Sequence, residues 1–255
     1  MVKNRLIAVL VIRDGKVIQS ICFKHTNVIH WDPVEAIQSF NDWAVDEIVA
    51  LNVSKDVSSK TEFLKIVNRL ANKCFVPLSI GGWLQTVDDA SETIRWGADK
   101  VIINTAAYDN PQLIEEIAAR HGSQACVVSI DTIMDEHGKR NVVIDRAKKN
   151  TKMGLLEWAL LAAERGAGEI FYNSVSHDGN RGGYDIDGIR LLTENLKVPV
   201  IAFGGVQIWE HLEQGIVDAG ADAVAAANIL HYTEHSVLKA KKYLLSKGLN
   251  FRGVY

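Results

Sequence analysis

The chain has 255 residues, with 28 lysines and arginines, 31 aspartates and glutamates, and a formal net charge of -3. This balance, with no run of more than two adjacent basic residues, argues against binding to nucleic acids or anionic membranes. The three cysteines, Cys22, Cys74 and Cys126, form no CxxC pair, so we expect a reducing cytoplasm and neither a disulfide framework nor a zinc site. We also expect no cofactor and no other metal. No stretch approaches the ~18 apolar residues of a membrane span.

Short apolar segments alternate along the chain with longer segments of helical periodicity. The predicted strands are, in chain order, Arg5–Val11, Glu47–Val53, Val76–Ile80, Lys100–Asn104, Ala125–Asp131, Glu169–Ser174, Val198–Phe203 and Ala223–Ala227. The predicted helices lie near residues 33–43, 60–73, 86–96, 111–121, 153–165, 186–195, 207–218 and 234–246. Eight strands alternating with eight helices predict an α/β fold, a (βα)8 TIM barrel, in one domain spanning residues 1–255.

The longest connections between predicted elements follow the first and fifth strands and span Ile12–Asp32 and Thr132–Lys152. Barrel enzymes keep their active sites on the loops that follow the strands. We therefore expect functional residues on these two connections.

An internal repeat divides the chain into two similar halves. The segment Val76–Gly82 (VPLSIGG) recurs as Val198–Gly205 (VPVIAFGG), and Gly97–Val101 (GADKV) recurs as Gly220–Val224 (GADAV). Both matches are 122 or 123 residues apart, too consistent for chance glycine pairs. The repeat predicts two half-barrels, at about residues 1–122 and 123–255.

The predicted catalytic residue is Asp131, which ends the fifth strand after an apolar run and can act there as a general acid or base. The alternative is that Asp131 only caps the following loop. The matching position at the end of the first strand is Val11, so a mechanism with two matched carboxylates is not available. Asp178 follows the sixth strand and adds a second candidate acid, although Asp178–Gly179 is also typical of a tight turn.

Two glycine pairs that follow strands are candidate phosphate sites, because glycine lets backbone N–H groups approach an anion closely. The first-half site combines Gly81 and Gly82 with Asn104 and Thr105, and the second-half site combines Gly204 and Gly205 with Asn228 and Gly179. Adjacent loops commonly assemble barrel phosphate sites. Trp83 directly follows the first pair and can fill that site, so the second-half site is the better-supported prediction.

Four predicted strands begin with charged residues, which lie at the opposite, amino-terminal end of the barrel: Arg5, Glu47, Lys100 and Glu169. Two cations and two anions there can form a ring of ion pairs. The alternative is a set of solvated strand ends that concern stability.

Motifs from across the chain resemble the cyclase subunit of imidazole glycerol phosphate synthase. The resemblance is carried by Gly97–Ala107, by His177–Gly179 with Gly183–Asp185, and by Gly204–Gly205 with Gly220–Ala223. It implies a barrel that receives ammonia from a glutaminase subunit docked on its amino-terminal face. It also implies that the four charged strand residues form the gate to an ammonia passage, and that a phosphorylated small molecule binds at the other end.

The sequence departs from that family at five positions on one face. The family has a second catalytic aspartate at Val11, a lysine of the mobile first loop at Gln19, and a third phosphate-loop glycine at Trp83. It has further acids at Asn52 and Ser176. The cyclase end of the barrel has therefore changed, whereas the residues of the ammonia gate have not.

Val9–Val17, Phe23–His25 and Trp31–Pro33 resemble an offshoot of the family, the cyclase-like proteins of acetamidino-sugar modification in surface glycan and polysaccharide biosynthesis. This implies a further partner, an ATP-dependent sugar amidotransferase, and a barrel that passes on ammonia with its cyclase activity lost. Two alternatives stay open: a functional cyclase subunit of histidine biosynthesis, and a non-catalytic scaffold that senses a phosphorylated ligand.

Overall fold

The computed structural model describes residues 3–56, 59–232 and 234–253. Its strands are β1 (Arg5–Arg13), β2 (Lys16–Ile21), β3 (His25–His30), β4 (Glu47–Asn52), β5 (Leu78–Gly81), β6 (Lys100–Ile103), β7 (Cys126–Met134), β8 (Arg140–Ile144), β9 (Lys149–Gly154), β10 (Glu169–Ser174), β11 (Val200–Phe203) and β12 (Ala223–Ala226). Eight of them pair in parallel in the order β1, β4, β5, β6, β7, β10, β11 and β12, and β12 pairs with β1 to close the ring. The predicted (βα)8 barrel is confirmed.

Helices connect the barrel strands and cover the outside of the sheet. They are α1 (Pro33–Asp42), α2 (Ser59–Ala71), α3 (Val87–Arg95), α4 (Thr105–Asp109), α5 (Gln112–His121), α6 (Leu155–Glu164), α7 (Ile186–Asn195), α8 (Trp209–Val217), α9 (Asn228–Tyr232) and α10 (Ser236–Ser246). Local sequence sets where several of them begin. Asp32 accepts a hydrogen bond from the Val34 N–H at the start of α1, and Thr86 forms a capping box with Asp89 at the start of α3. The short helices α4 and α9 were not predicted.

Two of the strands start two residues later than predicted, for a common reason. The sequence predicts strands from Val76 and Val198, but β5 and β11 begin at Leu78 and Val200, directly after Pro77 and Pro199. Proline has no N–H to donate to a neighbouring strand, which favours a strand start after it.

Side chains of each barrel strand alternate between two cores. In β1, Ile7, Val9 and Val11 belong to a cluster inside the barrel, whereas Leu6 and Leu10 belong to the larger core between strands and helices. Such alternation follows from the two-residue period of a strand. It places Arg5 inside the barrel at the amino-terminal end, which we call the base. The carboxyl ends of the strands form the opposite end, which we call the mouth.

The two long connections are β-hairpins, where the sequence predicted loops. β1 continues to Arg13 and pairs with β2, which pairs with β3; β7 likewise pairs with β8, which pairs with β9. The first turn contains Asp14 and Gly15, with φ of 50° and 77°. A two-residue turn with both residues in the left-handed region matches the twist of a hairpin, and Asp-Gly is its strongest sequence signal. The Asp14–Gly15 signal for a hairpin was missed.

Candidate functional site

The base of the barrel carries a closed ring of four ion pairs, which we call the basal ring. Arg5 Nη1 lies 2.8 Å from Glu47 Oε2 and 2.8 Å from Glu169 Oε1. On the other side, Lys100 Nζ lies 3.0 Å from Glu47 Oε1 and 3.0 Å from Glu169 Oε2. The charges alternate in sign around the ring, so each anion is shared by both cations.

The basal ring is largely buried, and its side chains are therefore held in place. Glu47 is only 1% exposed and also accepts a hydrogen bond of 2.8 Å from Ser79 Oγ. Burial alone lowers the pKa of Arg5, but the charges of Glu169 and Glu47 outweigh burial, and the pKa is raised. Removing one partner from a buried ion pair leaves an uncompensated charge and costs about 3–5 kcal/mol.

Asp131 lies at the mouth, on β7, between two asparagines from neighbouring strands and loops. Its Oδ2 accepts a hydrogen bond of 2.9 Å from Asn104 Nδ2, and its Oδ1 accepts one of 3.2 Å from Asn173 Nδ2. Burial raises the pKa of Asp131 to about 7, against the opposing effect of the two asparagines, and Asp178 adds a repulsive charge. A carboxyl group with this pKa can both accept and donate a proton near neutral pH.

Asp178 lies at the same mouth and is covered by the first hairpin. It is 6% exposed, and its Oδ2 accepts a hydrogen bond of 2.7 Å from Ser20 Oγ on β2. The Cys22 N–H donates to the Asp178 carbonyl at 2.9 Å. Burial raises the pKa of Asp178 as well. The next residue, Gly179, has φ of +66°, and a Cβ there would lie 2.4 Å from the Ser20 carbonyl oxygen, so only glycine allows this contact.

The position that matches Asp131 in the first half is apolar. Val11 is 8% exposed and packs in the interior cluster that also contains Ile18 of the first hairpin and Phe203 of β11. This side of the mouth therefore offers no proton donor or acceptor at the position of Val11. Asp131 and Asp178 are the two acids predicted for the site, and both belong to the second half.

The second-half glycine pair borders an open cavity of about 200 Å³. The cavity is lined by both glycines and by Gly179, Asn228, Gln19 and Arg181. A Cβ on Gly205, where φ is +89°, would lie 2.1 Å from the Gly183 carbonyl oxygen, so the backbone must approach closely here. Asn228 Oδ1 is buried and has no hydrogen-bond partner among the described residues. Arg181 was not predicted as a residue of this site. Its position in the loop after β10, three residues after Asp178, was a usable signal for a cation at the mouth.

The first-half glycine pair is surrounded by protein groups that already interact with one another. Asn104 donates to Asp131, and Thr105 Oγ1 accepts a hydrogen bond of 3.0 Å from the Asp145 N–H at the tip of the second hairpin. Gly82, with φ of +112°, packs against the backbone of Asn52. Trp83 also has a positive φ, 60°, and its indole N–H is buried without a partner in the described part of the chain. The two predicted phosphate sites therefore differ in structure.

The described residues form neither a metal-binding cluster nor a membrane-spanning helix. No group of three or more histidine, cysteine, aspartate or glutamate side chains is arranged to hold a metal ion within residues 3–56, 59–232 and 234–253. Over the same ranges, no helix is long and apolar enough to cross a membrane.

Comparison with known proteins identifies relatives that align with nearly the whole chain. The family model described as "Histidine biosynthesis protein" matches residues 5–236. The chain is 39% identical over 253 residues to the imidazole glycerol phosphate synthase subunit HisF of Chlorobium phaeovibrioides, covering 99% of this chain and 100% of the relative. It is also 39% identical over 252 residues to the HisF subunit of Chlorobium luteolum, with the same two coverages.

Proposed function

The chain belongs to the histidine biosynthesis protein family, as a barrel similar to the cyclase subunit of imidazole glycerol phosphate synthase, and from this membership we propose that it transfers ammonia within a glutamine-dependent amidotransferase complex. In this proposal a glutaminase subunit docks at the base and releases ammonia into the barrel. The barrel passes the ammonia to its mouth for amidination of a sugar in surface glycan or polysaccharide biosynthesis. The cyclase activity of the family is lost.

One contrast carries the proposal: the basal ring has all four charged residues, whereas the apolar Val11 lies where the family resemblance implies a catalytic carboxylate. General acid–base catalysis contributes about 10²–10⁴-fold for each well-placed group. Loss of one member of an acid pair therefore removes much of the cyclase rate. It does not affect entry of ammonia at the other end of the barrel.

The interior of the barrel suits the passage of ammonia as a neutral molecule. Above the basal ring, the interior side chains are apolar and include Ile7, Val49, Val127, Phe171 and Ile201. Ammonium loses its hydration there without compensation, whereas uncharged ammonia loses little. We assign the basal ring the role of a gate that opens when an ion pair breaks, and the apolar interior the role of excluding ammonium and water.

The proposed acceptor is the acetamido group of a sugar. An ATP-dependent sugar amidotransferase activates the amide oxygen, ammonia forms a new C–N bond at the same carbon, and the C–O bond breaks with the activating group leaving on oxygen. Only uncharged ammonia has the free electron pair for this attack. Asp131, with a pKa of about 7, can take up the proton that the attacking nitrogen loses if the acceptor reaches the mouth.

The open cavity beside Gly204 and Gly205 is the proposed binding site for a phosphorylated ligand. Backbone N–H groups at a glycine pair and the guanidinium of Arg181 suit a phosphate group. The free thiols of Cys22, Cys74 and Cys126 fit a reducing cytoplasm.

The proposed function is tested by supplying purified protein with an ammonium salt and the bisphosphate substrate of the histidine pathway. We expect negligible turnover. With a glutaminase, glutamine, ATP, the sugar amidotransferase and an acetamido sugar, we expect an acetamidino product that depends on the barrel. Robust formation of imidazole glycerol phosphate from ammonium would reject the proposal.

The second candidate is a working cyclase of histidine biosynthesis, favoured by the identity of 39% to two HisF subunits over their full length. In that case Asp131 performs both proton transfers with help from Asp178. The Asp131→Asn variant then loses activity, and Val11→Asp gains it. A third candidate is a scaffold that senses a phosphorylated ligand, favoured by the cavity beside Gly205. It predicts that bound ligand raises the glutaminase rate while no ammonia reaches a product.

A further inference from the structure

The two hairpins at the mouth carry an excess of positive charge. Segments 13–30 and 135–152, which hold the two hairpins, contain nine of the 28 lysines and arginines but only four of the 31 aspartates and glutamates. Their net charge is therefore +5, whereas the rest of the chain carries -8. Arg140 and Lys149 pair with acids outside these segments, Asp185 and Asp109, and an excess of positive charge still remains.

Exposed apolar side chains surround the same mouth. They stand on connections that follow four different barrel strands: Val28 and Trp31 after β1, Met134 on the extension of β7, Ile208 after β11 and Tyr232 after β12. Single exposed apolar residues are common, but five on the connections at one end of the barrel are a candidate contact surface for a partner. We call these five side chains the rim of the mouth. Tyr232 lines the cavity beside Gly205, but a small ligand there leaves the other four side chains of the rim uncovered.

Trp31 is the most exposed of these five side chains, at 73%, and it is held in position. Lys16 Nζ lies 4.3 Å from the centroid of its indole ring, which is a cation–π contact. A large aromatic side chain that is already ordered loses little entropy on binding. Such residues dominate the free energy of protein interfaces.

Ammonia chemistry requires a sealed exit if the acceptor is activated by another enzyme. Ammonia that escapes into neutral water becomes ammonium, which has no free electron pair for attack. The acceptor site must therefore adjoin the mouth directly.

From the charge, the apolar rim and this chemical requirement, we propose that the mouth is a protein-docking surface for the ammonia-consuming enzyme, whose contacting face is acidic. This inference rests on the proposed function. Trp31 is its main apolar anchor, and the lysines and arginines of the two hairpins steer and orient the partner. The first hairpin also covers Asp178, because Ser20 of β2 donates a hydrogen bond to its carboxylate. A partner that binds this hairpin therefore contacts the element that closes over Asp178.

The test measures binding of the purified ATP-dependent sugar amidotransferase to the full-length chain in complex with its glutaminase. We expect Trp31→Ala and the double variant Lys148→Glu/Lys149→Glu each to weaken binding by about ten-fold, which corresponds to about 1.4 kcal/mol. Binding of the wild type weakens as salt is added, because surface charges are screened. Leu160→Ala is the matched control, an apolar residue that is 40% exposed in the middle of α6, away from both ends of the barrel. It leaves this affinity unchanged.

Two further measurements separate the possible outcomes. Binding of the glutaminase and its rate of glutamine hydrolysis stay unchanged in Trp31→Ala, and the melting temperature shows that this variant is folded. A glutamine-dependent acetamidino product together with unchanged affinity in both mouth variants overturns the docking surface alone. Absence of binding by the wild type, with imidazole glycerol phosphate formed, overturns the proposed function and the docking surface together. If the isolated chain sediments as a dimer and Trp31→Ala sediments as a monomer, the surface binds a second copy of the chain. That result also overturns the inference.

Discussion

Replacing Lys100 by methionine removes one charge from the basal ring and nearly preserves the size of the side chain. Lys100 Nζ contacts both Glu47 and Glu169 at 3.0 Å, and after the change the two carboxylates share only Arg5. A buried carboxylate is then left partly uncompensated. We expect the free energy of unfolding to fall by about 3–5 kcal/mol.

The same variant changes function in a way that a purely structural ring does not predict. With the ring open, ammonia and water exchange at the base, so the glutaminase still hydrolyses glutamine but less of the nitrogen reaches product. The assay measures glutamate and aminated product in the same reaction. Lys65→Met is the matched control, because Lys65 forms an exposed pair with Glu62 that contributes below about 1 kcal/mol.

Two results would contradict this account of the base. Unchanged coupling of glutamine hydrolysis to product in both Lys100→Met and Glu169→Gln shows that the ring is no gate. If Lys100→Met loses no more stability than Lys65→Met, the ion pairs of the ring do not contribute as buried pairs do.

Two other predictions concern the mouth. The pKa of Asp131 is raised to about 7 from 3.8, so the native state binds a proton more tightly than the unfolded chain, and stability falls as pH rises from about 4 to about 7. In urea unfolding, we expect the wild type to lose more stability across this range than Asp131→Asn, which keeps only the contributions of other groups such as Asp178. Equal pH dependence in both contradicts the assignment. Gly205→Ala places a Cβ against Gly183, so we expect the free energy of unfolding to fall by about 1–3 kcal/mol and added inorganic phosphate no longer to raise the melting temperature. The control is Gly138→Ala, at φ of +77° with no atom within 4 Å, in which phosphate still raises the melting temperature. If phosphate raises the melting temperature equally in both glycine variants, the cavity beside Gly205 is not the phosphate site.

Much of the barrel could be predicted because its signals are local. Short apolar segments predicted all eight barrel strands. The charges at four strand starts predicted a ring of ion pairs formed by Arg5, Glu47, Lys100 and Glu169. The two half-barrels at residues 1–122 and 123–255 stay a prediction from the repeat. The missed hairpins were also local, since Asp14–Gly15 between apolar runs is a hairpin signal.

The geometry of the mouth could not be predicted in the same way, because it depends on contacts distant in sequence. Ser20 binds Asp178 across 158 residues, and Asn173 binds Asp131 across 42. Asn173 had a usable signal, since it lies on the same face of β10 as Glu169 and therefore points into the barrel. The docking of a hairpin onto a distant loop has no comparable pattern.

The energetic cost of the basal ring helps to interpret its retention. Replacing a buried ion-pair network by apolar residues of similar volume is often neutral or stabilising by 1–4 kcal/mol. Stability alone therefore gives little reason to keep four charges inside the base, directly below an apolar interior that extends to Val11. At the mouth the arrangement is the opposite, because the apolar Val11 occupies the position that matches Asp131. A barrel shaped only for stability would have replaced charges at both ends. Retention at the base and replacement at the mouth together favour a subunit that still admits ammonia and leaves the chemistry of the acceptor to a partner.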